Sequence, residues 1–285
     1  MLLYLLVLII MYNLLNLKRI LVRMDIFMNT HSGPKALAEY ILNQSKNKAN
    51  KKAIVLLFQG ILAGIYISIG AIGSLKVAAT VTSPGLGNFL GALVFPIGII
   101  AIILMQAELF TSDCMVMLSV YSGRTKIRKI VKILFLIIFS NLLGAIFVAF
   151  LTKTSGIFGQ AVTDLVIEKA VHKVNMPIGE LFTSSILCNI IVCTGVCLAY
   201  SCKEELAKIA ALWLAIVVFV LSGTEHVVAN MYYLFIGLFT GANIGGLDIF
   251  YNLAVSGVGN FIGGGIVVTG INYILSYKEL DKEKK

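Results

Sequence analysis

Two apolar stretches of this chain are longer than one membrane helix needs, and each carries a carboxylate near its middle. They are 89–121, interrupted by "ELFTSD" (Glu108 to Asp113), and 206–240, interrupted by "GTEHVVAN" (Gly223 to Asn230). Four further apolar blocks, 53–75, 130–152, 179–201 and 250–276, each have the length of a single crossing, for which about 20 residues suffice. An ionisable group at bilayer depth is expensive, and irregular backbone is tolerated there only when it is buried in protein or lines a cavity. The pattern therefore predicts an all-α integral membrane protein with six transmembrane helices, the second and fifth of them broken. Composition agrees: 59% of the residues are hydrophobic, only 13% are charged, and the mean hydropathy is +0.94.

The flanks divide into three parts. Residues 1–29 form an N-terminal extension whose apolar run is short for a crossing. Its basic residues follow the run and no small-residue cleavage site appears, so a signal peptide fits badly and Met24 is an alternative start. Residues 30–52 include "PKALAEYILNQSKNK", read as an amphipathic helix on the membrane surface. The six-helix membrane domain spans 53–276, and 277–285 form a charged tail.

Charge placement sets the orientation. With both ends on one side, only Lys76, Lys153, Lys169 and Lys173 of the 23 Lys and Arg fall on the other. By the positive-inside rule both termini are cytoplasmic. The net charge of +9 is thus explained by topology, and no nucleic-acid partner is expected. The five cysteines, Cys114, Cys188, Cys193, Cys197 and Cys202, lie in or beside apolar segments without CxxC spacing. They read as small packing residues rather than ligands.

The two halves also resemble one another in order. "GILAGIYISIG" (60–70) aligns with "SILCNIIVCTG" (185–195), "QAELFTSD" (106–113) with "GTEHVVAN" (223–230), and "SNLLGAI" (140–146) with "GNFIGGG" (259–265). Each half, about 53–152 and 179–276, holds three crossings. An odd number requires the second copy to sit inverted, which places a substrate site near the midplane between the two interruptions.

"ELFTS" after "GALVFPIG", together with "SGTEHVVANMYYLFIG" and the late "GNFIGGG", resembles the formate/nitrite transporter family from about residue 30 to 276. The resemblance implies a homopentamer in a prokaryotic plasma membrane, surrounded by membrane lipids. Its protomers would be aquaporin-like, each with its own pore for small monovalent anions, with no cofactor and no enzymatic activity. Carried over by position, it makes His226 the central pore histidine, with Thr111 opposite. Phe95, Ile99, Leu109, Phe110 and Phe219 become two apolar constrictions, and Lys173 the basic residue of the outer vestibule. Asn189 and Asn230 become supports of His226, with Ser112 and Asp113 among the supporting residues. Thr224 replaces an aromatic residue of the formate branch and is similar to the hydrosulfide branch, which moves the expected substrate towards HS⁻, with formate, nitrite and chloride as further anions.

A bare anion should not cross rings of Phe, Leu and Ile. Half-helix N-termini at the breaks offer positive dipole ends, and a proton delivered near His226 lets the weak acid pass neutral. Glu108 and Glu225 read as structural, accepting backbone N–H groups where the helices break. A haem subunit commonly needs a buried histidine pair, and only His31, His172 and His226 exist, of which the first two fall in opposite extramembrane regions. No GxSxG or HExxH signature supports a hydrolase. A neutral-solute channel of the same fold remains an alternative, as does a proton-coupled formate/nitrite symporter in place of a channel.

Overall fold

The computed structural model describes residues 33–280, with side chains through Ser276. The N-terminal extension with Met24, as well as His31 and tail residues 281–285, lie outside the described residues. A surface helix α1 (Pro34–Asn50) leads into the first crossing, α2 (Ala53–Thr80). The second crossing begins with α3 (Pro84–Val94) and α4 (Ile97–Leu104), breaks at 105–109, and resumes as α5 (Phe110–Asp113), a 3-10 turn (Cys114–Met117) and α6 (Leu118–Tyr121). The third crossing is α7 (Ile127–Thr154).

Helix α8 (Gln160–Asn175) lies on the opposite face and precedes the fourth crossing, α9 (Ile178–Tyr200). The fifth is divided into α10 (Glu205–Leu221) and α11 (Val227–Thr240) by a break at 222–226. The sixth runs through α12 (Gly246–Phe261), a π-helical stretch (Ile262–Val268) and α13 (Thr269–Leu280). By length and composition five stretches can cross a membrane whole: Ala53–Thr80, Pro84–Leu104, Ile127–Thr154, Ile178–Tyr200 and Gly246–Ser276. The fifth crossing in order is the exception, because its two halves are each too short alone.

Small residues let the unbroken crossings approach closely, as membrane helices require when no hydrophobic driving force separates them from lipid. Helices α2 and α7 meet at Gly64 and Gly144; a Cβ added at either would lie 2.1 Å from a carbonyl oxygen of the other helix, Asn141 or Ile61. Helix α9 meets the π-helical stretch in the same way at Gly263, where a Cβ would lie 2.2 Å from the Ile186 carbonyl oxygen. Outward, α7 shows Phe135, Phe139, Phe147 and Phe150, suited to lipid or to a neighbouring subunit.

The aligned segments of the two halves occupy equivalent places, as the repeat predicts. Asn141 on α7 donates to the carbonyls of Gly60 and Glu108 and accepts from Phe110 N–H. Asn260 on α12 donates to the carbonyls of Ser185 and Glu225 and accepts from Val227 N–H. Each asparagine bonds two backbone groups that its broken helix would otherwise bury unpaired and anchors them to a carbonyl of an unbroken crossing. The equivalence extends beyond the crossings: α1 stands before the first three as α8 stands before the second three.

Candidate functional site

The two breaks share one backbone design. Each first half-helix ends in a left-handed residue, Gln106 (φ 53°) and Gly223 (φ 63°). Each second half-helix starts from an extended residue, Leu109 (φ −110°, ψ 124°) and His226 (φ −108°, ψ 116°). Glycine adopts positive φ without Cβ strain, whereas Gln106 carries a modest penalty, of order 1 kcal/mol or more. Its carbonyl is held by Gln59 Nε2 at 2.8 Å.

His226 caps α11. Its Nδ1 accepts from Ala229 N–H at 3.1 Å, and its Nε2 lies 2.9 Å from Thr111 Oγ1. With Nδ1 an acceptor, the neutral ring carries its proton on Nε2 and donates to Thr111. Both side chains are buried, so this bond joins the two breaks across the middle of the protomer. Sequence reasoning brought the pair together but misplaced the supports, because neither amide touches the imidazole. Asn189 Nδ2 instead donates to the carbonyls of Thr111 (3.1 Å) and Asn260 (2.6 Å). Asn230 Nδ2 donates to Glu225 Oε2 (2.7 Å) and Asn252 Oδ1 (2.9 Å). The histidine had no need of them, since its own helix and Thr111 satisfy both ring nitrogens. Ser112 Oγ bonds back to the Leu109 carbonyl at 3.1 Å.

Two cavities approach this pair. One, of about 300 Å³, opens on the face of α8 and reaches Phe95, Phe219, Thr224 and His226. The other, of about 930 Å³, opens on the face of the termini and ends at Ile102, Ala107 and Glu108. Phe95 and Phe219 pack edge to face at 5.9 Å between ring centroids, and Phe219 lies 5.6 Å from the His226 ring. Ile99 sits about one turn from Phe95 and from Ile102, Leu109 and Phe110 directly precede Thr111, and all three are buried. Phe95 and Phe219 line the smaller cavity, whereas Ile99, Leu109 and Phe110 line neither of the two. In the smaller cavity the buried Thr224 hydroxyl lies within hydrogen-bonding reach of the Cys188 thiol.

The carboxylates at the breaks pair with lysines and not, as the sequence suggested, with backbone N–H groups, which the asparagines Asn141 and Asn260 take instead. Lys173 Nζ donates to both Glu225 oxygens at 2.7 and 2.9 Å and stands 5.5 Å over the Tyr233 ring. The sequence-predicted vestibule lysine is thus tied to the break itself. Asn252 fixes it from behind by donating to the Lys173 carbonyl at 2.8 Å. Burial, reinforced by the neighbouring Lys173 ammonium, holds Lys169 below the ordinary lysine pKa.

At the other break Lys48 lies 2.6 Å from Glu108 Oε2 and also pairs with Asp113, and Lys51 reaches Glu108 Oε1 at 2.8 Å. Lys48 and Lys51 were missed as site residues because their charges merge with the basic N-terminal region. Extending the repeat offset from Gly60/Ser185 back to Lys48/Lys173 is the signal that finds them. Among the described residues, no group of His, Cys, Asp and Glu is arranged to hold a metal ion.

The sequence profile described as formate/nitrite transporter matches residues 35–274. The chain is 30% identical over 259 residues to the uncharacterized transporter YrhG of Bacillus subtilis, covering 88% of this chain and 96% of that one. It is 30% identical over 261 residues to the formate channel FocA of Haemophilus influenzae, covering 82% and 91%. Among solved structures, an FNT family ion channel superposes with a TM-score of 0.78 at 25% identity, covering 84% of this chain and 97% of that one. A pentameric formate channel with formate bound superposes with a TM-score of 0.72 at 28% identity, covering 79% and 98%. This multi-pass membrane protein belongs to the formate/nitrite transporter family, whose members are channels and transporters rather than enzymes.

Proposed function

We propose that the protein conducts small monovalent anions through each protomer of a homopentamer, with hydrosulfide the preferred substrate, formate and nitrite further weak-acid candidates, and chloride a candidate that would have to cross as the ion. The basic face, with both termini, is cytoplasmic, and the membrane is the plasma membrane of a prokaryote. The observation that carries the reading is the 2.9 Å bond between Thr111 Oγ1 and His226 Nε2, at the inner end of the cavity that Phe95 and Phe219 also line.

Moving a carboxylate-sized ion from water into a dry, low-dielectric passage carries an idealised penalty of about 20 kcal/mol. An anion stopped at Phe95 and Phe219 loses hydration and becomes a stronger base. His226 Nε2–H and the Thr111 hydroxyl are neutral donors at that point, able to hold it while it takes up a proton. The proton comes from water in the cavity rather than from His226, because Nδ1 is engaged by Ala229 N–H and cannot be recharged without breaking the cap. The neutral acid then passes Ile99, Leu109 and Phe110 and releases its proton in the second cavity. Lys173 raises the local anion concentration at the mouth, and the Thr224 hydroxyl adds a polar group to the cavity wall; a small polar side chain there suits HS⁻ better than a bulky ring would.

Reversal potentials and fluxes in proteoliposomes at several pH values, with HS⁻, formate, nitrite and chloride compared, test the substrate order and the coupling to protons. His226→Asn retains a cap acceptor and a neutral donor and should keep part of the flux. Its complete loss would favour proton transfer by the imidazole. Equal permeation of glycerol would instead support a neutral-solute channel.

A further inference from the structure

The face of the termini carries one cluster of cations that the pore does not use. The turn after α6 and the start of α7 hold Arg124, Lys126, Arg128, Lys129 and Lys132, and all five are exposed. Among the described residues none of the five has an ion-pair partner. The chain offers none nearby in sequence, since no Asp or Glu occurs from Cys114 to Thr163. Elsewhere on this face Lys35, Lys48, Lys51 and Lys208 each hold a carboxylate. Helix stability does not explain the cluster, because Lys126, Arg128 and Lys129 fall at the N-cap and in the first turn of α7, where the helix dipole disfavours cations. Topology asks for basic residues on this side of the membrane but not for their grouping at one helix end.

The turn that presents these charges is fixed. Gly123 takes a left-handed conformation (φ 69°), and the N–H groups of Arg124 and Thr125 both bond the Ser119 carbonyl, at 2.8 and 3.0 Å. An apolar row begins among the cations: Ile127, Val131, Phe135 and Phe139 recur every fourth residue along α7, and each is exposed. The row is about 18 Å long, close to the depth of one leaflet. Arg128 and Lys132 start a parallel row one residue along, at its outer end. Cations at headgroup level above an apolar row of that length match an amphiphile whose polar end is negative.

We propose that this cluster and row form a binding site for an anionic phospholipid, its phosphate held among the five cations and an acyl chain lying along Ile127 to Phe139. Arginine suits the polar end because its guanidinium can donate two bonds to one phosphate, and each basic residue near an anionic membrane surface strengthens the attachment. The assignment needs only that α7 crosses the membrane, and it is independent of what the pore conducts.

Native mass spectrometry of the full-length protein, purified in mild detergent and offered phosphatidylglycerol and phosphatidylcholine with the same acyl chains, reads the preference directly. The wild type should retain phosphatidylglycerol over phosphatidylcholine by about tenfold or more, and by less as ionic strength rises. A protein carrying Arg124→Gln, Arg128→Gln and Lys132→Gln together keeps Lys126 and Lys129 for topology and should lose most of that preference. If it fails to assemble, Arg128→Glu alone decides, with an expected loss of about fivefold or more. Glycerol phosphate has the polar end without an acyl chain, and at equal concentration it should not displace the lipid. Displacement would reduce the site to one for a free phosphate and overturn the lipid assignment. Equal retention of the two lipids by the wild type would overturn it as well, leaving the row to a neighbouring subunit. So would an undiminished preference in the charge variants, which would place the lipid elsewhere on the protein.

Discussion

Break 105–109 and break 222–226 solve one structural problem with nearly the same parts. Both end a half-helix in the left-handed region, restart from an extended residue and tie the loose backbone to an asparagine on the last crossing of their repeat. They diverge where chemistry enters. His226 occupies the place of Leu109, Asn230 that of Asp113, and one lysine–glutamate pair faces a cluster of two lysines and two acids. The shared parts are what any helix break at bilayer depth needs. The unshared parts are where function has to be sought, since an exact repeat would build two chemically identical halves.

The largest effects should come from the buried charges. Lys173→Met leaves Glu225 unpaired and should lower stability by about 4 kcal/mol, measured as unfolding in mild detergent, with much of the loss recovered by adding Glu225→Gln. Lys48→Met should cost at least as much, and Asp113→Asn should recover most of it, because Lys51 still pairs with Glu108. Equal recovery by Glu108→Gln alone would break the description of this cluster.

Next come the asparagines. Asn141→Ala and Asn260→Ala each strand two backbone groups of a break, at about 3 kcal/mol, and the two losses should be similar if the breaks are true copies. Gly64→Ala and Gly263→Ala should each cost about 2 kcal/mol, because the added methyl meets a backbone oxygen that cannot move aside. The smallest effect sharpens the one backbone difference. Gly223→Ala should lose about 1 kcal/mol, while Gln106→Gly should be neutral or gain a few tenths.

Much of the architecture was legible in the sequence because it is written in local patterns. Apolar block length gave the crossings, and polar residues inside two over-long blocks located the breaks to within a few residues. The regular spacing of Glu108, Asp113 and Asn141 against Glu225, Asn230 and Asn260 exposed the repeat. What stayed hidden depends on partners distant in sequence. Nothing near Lys48 announces a carboxylate 65 residues away, and a lysine in a basic segment reads as topology. The supports of Asn189 and Asn230 went astray for a similar reason: an amide can serve several neighbours, and only the fold decides that Asn189 serves Thr111 and Asn230 serves Glu225. His226 Nδ1 as a helix cap was also unreadable, since it depends on the break turning the ring back over its own first turn.

The central claim is that the His226–Thr111 bond is where the two copies stop being equivalent and conduction is decided. Formate and HS⁻ flux in proteoliposomes carrying His226→Phe tests it most directly, alongside a check that the variant assembles and melts as the wild type does. Loss of this donor should reduce flux by about tenfold or more, with the fold intact. Undiminished flux through a correctly assembled His226→Phe protein would contradict the account.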